Sequence, residues 1–189
     1  MSCKIRADHP LRKLFKAAME EGAEYVQSIS PEVKSYLERE ILCEFLHVDN
    51  LFKIKNAQGK RLEDIADLLA EGDIRMNAPN FEREFLVHKH IGDYTLFMLG
   101  FFPTYLNKKK GKEFVMGRLV IPGGDLSELY ELQGRRSYHI ASTFFEEHNI
   151  FETLSKEFLL FRNILEFVRI YLETLREENY LKAKRIISE

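Results

Sequence analysis

Glu40, Glu44 and His47 on one stretch, and Glu84 and His88 on another, are the residues whose types and spacing could do chemistry. Glu44 and His47 form the chain's only Glu-x-x-His. Carboxylate-bridged di-metal bundles hold two ions between helices with two such pairs plus a Glu from each of two further helices. Glu44/His47 and Glu84/His88 would supply two half-sites here, with Glu40 as an extra ligand and Fe, Mn or Zn as the ion. The second pair is Glu-x-x-x-His, however, and no other helix offers an obvious inward carboxylate. The competing expectation is a hydrogen-bonded network closed by an Arg such as Arg39 or Arg83, or an arc that faces water.

These groups matter because of where helical geometry puts them. A helix turns about 100° per residue. On a helix from Pro31, Val33, Leu37, Ile41, Val48, Leu51 and Phe52 share a broad apolar arc, and Glu40, Glu44 and His47 fall inside it. On the stretch FEREFLVHKHIGDYTLFMLGFFP, Val87, Ile91, Thr95, Met98, Leu99 and Phe102 define the arc, and Glu84 and His88 lie within it, four residues apart and side by side. Burying carboxylates is costly unless they are paired, protonated or metal-bound. His90 lies roughly 200° round from His88, so the two cannot chelate one ion from a regular helix. It faces Tyr94, Phe97 and Phe101, and with Asp93 it is a candidate for the second shell of a metal site.

GRRSYHIAS, from Gly134 to Ser142, gathers Ser, Tyr, His and two Arg. On a helix, Ser137 joins the side of Leu126, Leu129, Tyr130 and Phe144, while His139 points away beside Arg135 and Glu146. Ser137 and His139 therefore need a partner from elsewhere to act as nucleophile and base. Arg135 and Arg136 are candidates for an anion site, since guanidinium forks suit carboxylate and phosphate.

The elements that must position these side chains read as helices. Pro10 opens the first, with Asp8 before it and Leu11, Leu14, Phe15, Ala18, Gly22 and Tyr25 at helical spacing. Ser30 and Pro31 open a second, expected to run to about Lys53. A short helix follows near Leu62 to Ala70, ended by Gly72. The stretch from Phe81 is a helix stopped by Pro103. NKKKGK reads as an exposed loop, and EFVMGRLVIPGG fits strand, short helix or irregular chain. Asp125 and Glu128 have the form of a capping box opening a helix to about Glu147. A last helix is expected over about 151–187, with a break near Ser155. The expectation is an all-α, single-domain bundle of about five to six helices.

The totals narrow the function. In 189 residues, 28 basic and 30 acidic side chains leave a formal charge of −2, so no global field draws in nucleic acid or an anionic membrane. Neither NKKKGK nor KIKNAQGKR sits on a basic helical stripe with interleaved aromatics, and nucleic-acid binding is not expected. With 45% hydrophobic and 12% aromatic residues the chain can build a substantial core. Cys3 and Cys43 match neither a disulfide framework nor a zinc spacing. The longest apolar run, YTLFMLGFFPTYL, is too short to span about 30 Å of hydrocarbon. A cytoplasmic protein is expected.

FLHVDNLFKIKNAQGKRLEDIADLL, FEREFLVHKHIGDYTLFMLGFFP and GRRSYHIAS together resemble a family of bacterial all-helical proteins of unknown function, over about Phe45 to Ser142. The resemblance implies a bacterial source and one intact domain, and brings no reaction, cofactor or catalytic residue. With no specific catalytic signature, the leading expectation is a protein that binds a small ligand or a protein partner, with a homodimer in keeping with helices apolar on more than one face. The rival is a metal-dependent enzyme built on Glu40, Glu44, His47, Glu84 and His88.

Overall fold

The computed structural model describes residues 10–24, 29–45, 48–62, 65–73, 75–108, 114–116, 119–121, 125–145, 149–175, 178 and 181. Helix α6 (Phe81–Phe101) explains most of the architecture. Asn80 caps it, accepting from the Arg83 N–H at 2.9 Å. From Ile91 to Phe101 every residue of α6 is buried. A helix that is apolar on all sides belongs in the middle of a fold. It is packed there by α8 (Leu126–Ser142), α10 (Phe158–Thr174) and α5 (Ile65–Gly72). α1 (Pro10–Glu24) lies against α10. One apolar cluster runs from Phe15 and Ala18 through Phe45, Phe97 and Tyr138 to Leu172, and a smaller one joins Ile54, Leu62 and Leu68 to Val87 and Ile91.

The expected second helix is broken up. Ser30 caps α2 (Pro31–Tyr36) by accepting from Val33 N–H at 3.3 Å, as its type suggests. A π-helical segment, Leu37–Leu42, follows, then α3 (Cys43–Phe45) and α4 (Val48–Leu51). A π turn holds more residues than an α turn, so side chains beyond it rotate relative to a regular projection. Val33, Leu37, Ile41 and Leu51 are buried as expected, and so is Cys43.

Elsewhere, α5 starts and ends slightly later than the sequence suggests, with Gly72 as its last residue. Phe102 interrupts the chain with φ −129° and ψ 46°, and Pro103 opens α7 (Pro103–Lys108) instead of simply stopping α6. Asn107 and Lys108 of NKKKGK are therefore helical, and 109–112 fall outside the described residues. The ambiguous EFVMGRLVIPGG holds a hairpin, β1 (Phe114–Met116) antiparallel to β2 (Leu119–Ile121), with Val115 opposite Val120. Asp125 caps α8 by accepting from Ser127 N–H at 2.9 Å. α8 ends at Ser142, earlier than expected, in a turn through Phe145. The break in the last helix falls at Glu157, between α9 (Ile150–Lys156) and α10, and most of 176–189 falls outside the described residues. The class is all-α, and among the described residues no helix is long and apolar enough to cross a membrane.

The close crossing of α6 and α8 positions the polar groups. Gly92 of α6 and Gly134 of α8 let the two helices approach, because a Cβ on Gly92 would lie 2.6 Å from the Tyr138 ring and one on Gly134 would strike Thr95 and Phe158. Tyr138 is thereby pressed over α6, directly beside Asp93.

Candidate functional site

The polar residues of α6 divide between two places. The first is closed. Asp93 is 1% exposed, and its Oδ1 accepts from Tyr36 Oη at 2.7 Å and from Tyr138 Oη at 2.9 Å. Its Oδ2 accepts from Lys89 Nζ at 2.8 Å, one helical turn back. Lys89 Nζ also lies 3.5 Å from Glu40 Oε2 and 5.1 Å from the centre of the Tyr36 ring. Burial draws the Lys89 ammonium down, but the Asp93 carboxylate, by charge and hydrogen bond, and Glu40 behind it hold it above its ordinary value. Burial, and then the Asp93 charge, push both tyrosines well up, so they stay protonated and keep donating. A carboxylate with three charge-satisfying donors from α2, α6 and α8 is a fastening point.

The second place is open. Ala66, Leu69 and Ala70 of α5, the turn of Asp73, Arg75 and Met76, Glu84 and His88 of α6, and Arg136 and Ile140 of α8 enclose a cleft of about 760 Å³. Its floor is aliphatic and its polar groups come from three segments, the turn, α6 and α8, which is the general form of a small-molecule site. His88 is 4% exposed, with Nδ1 3.3 Å from the buried Ser137 Oγ of α8. Its Nε2 lies on the side of α5, 3.4 Å from where a Cβ on Gly72 would stand. Burial foremost, with the Arg136 charge helping and Asp73 opposing, lowers His88 to about 4, so it is a neutral imidazole near pH 7. Asp73 and Arg75 satisfy each other, Arg75 reaching Oδ1 through Nε at 3.1 Å and Oδ2 through Nη2 at 3.0 Å. That fork holds the Asp73 carboxyl below its usual range. Glu84 and Arg136 make no hydrogen bond or ion pair among the described residues.

The proposed metal ligands are distributed, not gathered. Glu40 meets Lys89, and Glu44 Oε1 lies 3.4 Å from Lys53 Nζ. The cations that close these carboxylates are lysines, not Arg39 or Arg83. Arg83 instead pairs with the buried Glu71 at 2.7 Å. His47 lies outside the described residues. Glu84 and His88 stand together at the cleft, which neither Glu40 nor Glu44 lines. Among the described residues no group of three or more His, Cys, Asp or Glu is placed to hold a metal ion.

His90 and Asp93 occupy different surroundings, so they do not form one outer shell. His90 is buried beside Phe45 and Tyr94, as its helical angle implies, and its Nε2 donates to the Leu51 carbonyl at 3.2 Å. Its Nδ1 has no partner among the described residues. Burial foremost, then the Lys53 charge, lower it to about 3 against that hydrogen bond. Arg135 and Arg136 both border a more open groove of about 500 Å³, together with Glu128 and Glu131. Arg135 is already paired with Glu131 at 3.3 Å, leaving Arg136, which also reaches the cleft, as the guanidinium available to an anion.

Sequence reasoning missed Tyr36, Tyr138 and Lys89 as partners of Asp93. The Lys89–Asp93 spacing of four was visible; the tyrosines arrive from other helices and carry no local signal. It also missed that Ser137 finds its histidine in His88, not His139. That serine is fully buried, so it orients the imidazole and is not presented to a substrate. No family model, curated protein or solved structure matches the chain.

Proposed function

We propose that this protein acts by binding a small, partly apolar organic molecule in the cleft between α5, α6 and α8. The observation that carries the reading is the pair Glu84 and Arg136: two charged side chains at an aliphatic-floored cleft, neither of them in a hydrogen bond or close ion pair among the described residues. Glu84 is half-buried and Arg136 exposed at the cleft, so both present their charge to a molecule that enters it. Neutral His88, steadied by Ser137, adds an uncharged hydrogen-bonding group. A cytoplasmic setting accords with the near-balanced charge and with the absence, among the described residues, of a helix able to cross a membrane.

The test is a fragment panel followed by ¹⁵N and side-chain ¹³C NMR on the full chain and on an Ala70→Phe variant, whose added ring occupies the cleft. Shifts are expected to concentrate on Leu69, Met76, His88 and Ile140 and to vanish in the variant. Hits that scatter over the surface, or that persist in Ala70→Phe, would sink the reading.

A further inference from the structure

Resting on the cleft as the binding site, we propose that its ligand is a zwitterion: an ammonium and a carboxylate carried on an apolar body, as in a free apolar amino acid or a short apolar peptide.

The argument is one of charge accounting within a single cleft. Among the described residues, four carboxylate or guanidinium side chains line it. Asp73 and Arg75 form a two-pronged hydrogen-bonded pair, and the Arg75 charge also reaches Glu84, but without a hydrogen bond or ion-pair contact. Arg83, the cation next to Glu84 in sequence, is drawn away to Glu71 and to the Lys55 carbonyl. Arg135, next to Arg136, is drawn away to Glu131. What remains is one carboxylate on α6 and one guanidinium on α8, each half-buried or exposed at the cleft and not joined to the other. A plain organic anion would satisfy Arg136 and leave Glu84 both unpaired and repelling the newcomer. A plain cation would do the reverse at Arg136. A molecule carrying both charges satisfies both, and electrostatic complementarity of this kind discriminates between ligands by suppressing the wrong ones.

The remaining walls fit the body of such a molecule. Leu69, Ala66, Ala70, Met76 and Ile140 are apolar. The volume of about 760 Å³ exceeds a single amino acid and accommodates a short peptide. His88, lowered by burial and by Arg136, is uncharged near pH 7, so it does not compete with Arg136 for the carboxylate or repel the ammonium.

The experiment is calorimetric titration of the full chain at pH 7 with L-leucine, the dipeptide Leu-Leu, its N-acetylated form and its C-terminal amide, with octanoate as the plain apolar anion. Expected is binding of a doubly charged compound at least tenfold tighter than either blocked form or octanoate. Leucine against Leu-Leu tells which size the cleft takes. Glu84→Gln should erase the difference between Leu-Leu and its N-acetyl form, and Arg136→Gln the difference between Leu-Leu and its amide. Circular dichroism of both variants excludes unfolding as the cause. N-acetyl-Leu-Leu or octanoate binding as tightly as the zwitterions overturns the inference while leaving the cleft reading standing. The same holds if none of these compounds binds but Ala70→Phe still abolishes fragment binding. Failure of both experiments takes down the cleft reading with it.

Discussion

The Asp93 cluster and the α5/α6/α8 cleft use the same kinds of side chain, start from the same helix, and end in opposite states. At Asp93 a buried carboxylate receives two tyrosine hydroxyls and a lysine, and the nearby Glu40 balances the lysine in turn. At the cleft Glu84 and Arg136 form no hydrogen bond or ion pair among the described residues, and His88 meets the Ser137 hydroxyl. Polar residues on an apolar helix therefore do not by themselves mark a functional site. What separates the two is whether the protein has supplied every partner, and buried networks with full satisfaction serve to fix a fold.

The comparison breaks most visibly at Asp93. Asp93→Ala leaves Lys89 without its charge partner and two tyrosine hydroxyls without an acceptor, and is expected to cost about 3–5 kcal/mol in urea unfolding. A loss below about 1 kcal/mol would mean the cluster is not a fastening point. pH probes the next largest effect. His88 and His90 are lowered on folding to about 4 and about 3 from about 6.5, so the unfolded chain takes up protons there that the folded chain does not. Stability should hold above pH 7 and fall as pH drops from about 6.5 toward 4, by on the order of a few kcal/mol. His90→Phe, placed among Phe45 and Tyr94, should flatten that slope; an unchanged slope would remove His90 from the account.

Gly92→Ala tests how the fastening point is assembled. Its methyl would displace Tyr138, which sits 2.6 Å from the Cβ position, and a cost of about 1–3 kcal/mol is expected with loss of the Tyr138 hydrogen bond to Asp93. Pairing it with Tyr138→Phe in a double-mutant cycle should show coupling, because both act on one contact. The smallest effect sharpens the comparison most. Arg136→Gln should change stability by less than about 0.5 kcal/mol, since the exposed guanidinium has no hydrogen bond or ion pair among the described residues to lose. A large loss there would place Arg136 in the framework and remove it from the cleft's chemistry.

Much of this was legible before any coordinates. Helical periodicity located α1, α5 and α6, and Ser30 and Asp125 marked the starts of α2 and α8, because repetition every three to four residues and a capping side chain act within one turn of chain. The separation of His88 from His90, and the pairing of Glu84 with His88 on one face, likewise follow from the rotation of a single helix. The π segment at Leu37–Leu42 was not legible, nor were the lysines, Lys89 and Lys53, that meet Glu40 and Glu44.

Nor could one helix reveal what another brings to it. Tyr36 and Tyr138 reach Asp93 from positions 57 and 45 residues away, and Ser137 meets His88 across 49. By itself the sequence determined which faces are apolar and which polar residues intrude on them, since that depends on the chain's own geometry. Only the tertiary structure decided which intruders were given partners and which were left facing a cleft. That outcome rests on how closely α6 and α8 approach at Gly92 and Gly134, a distance set by packing between elements and written in neither helix alone.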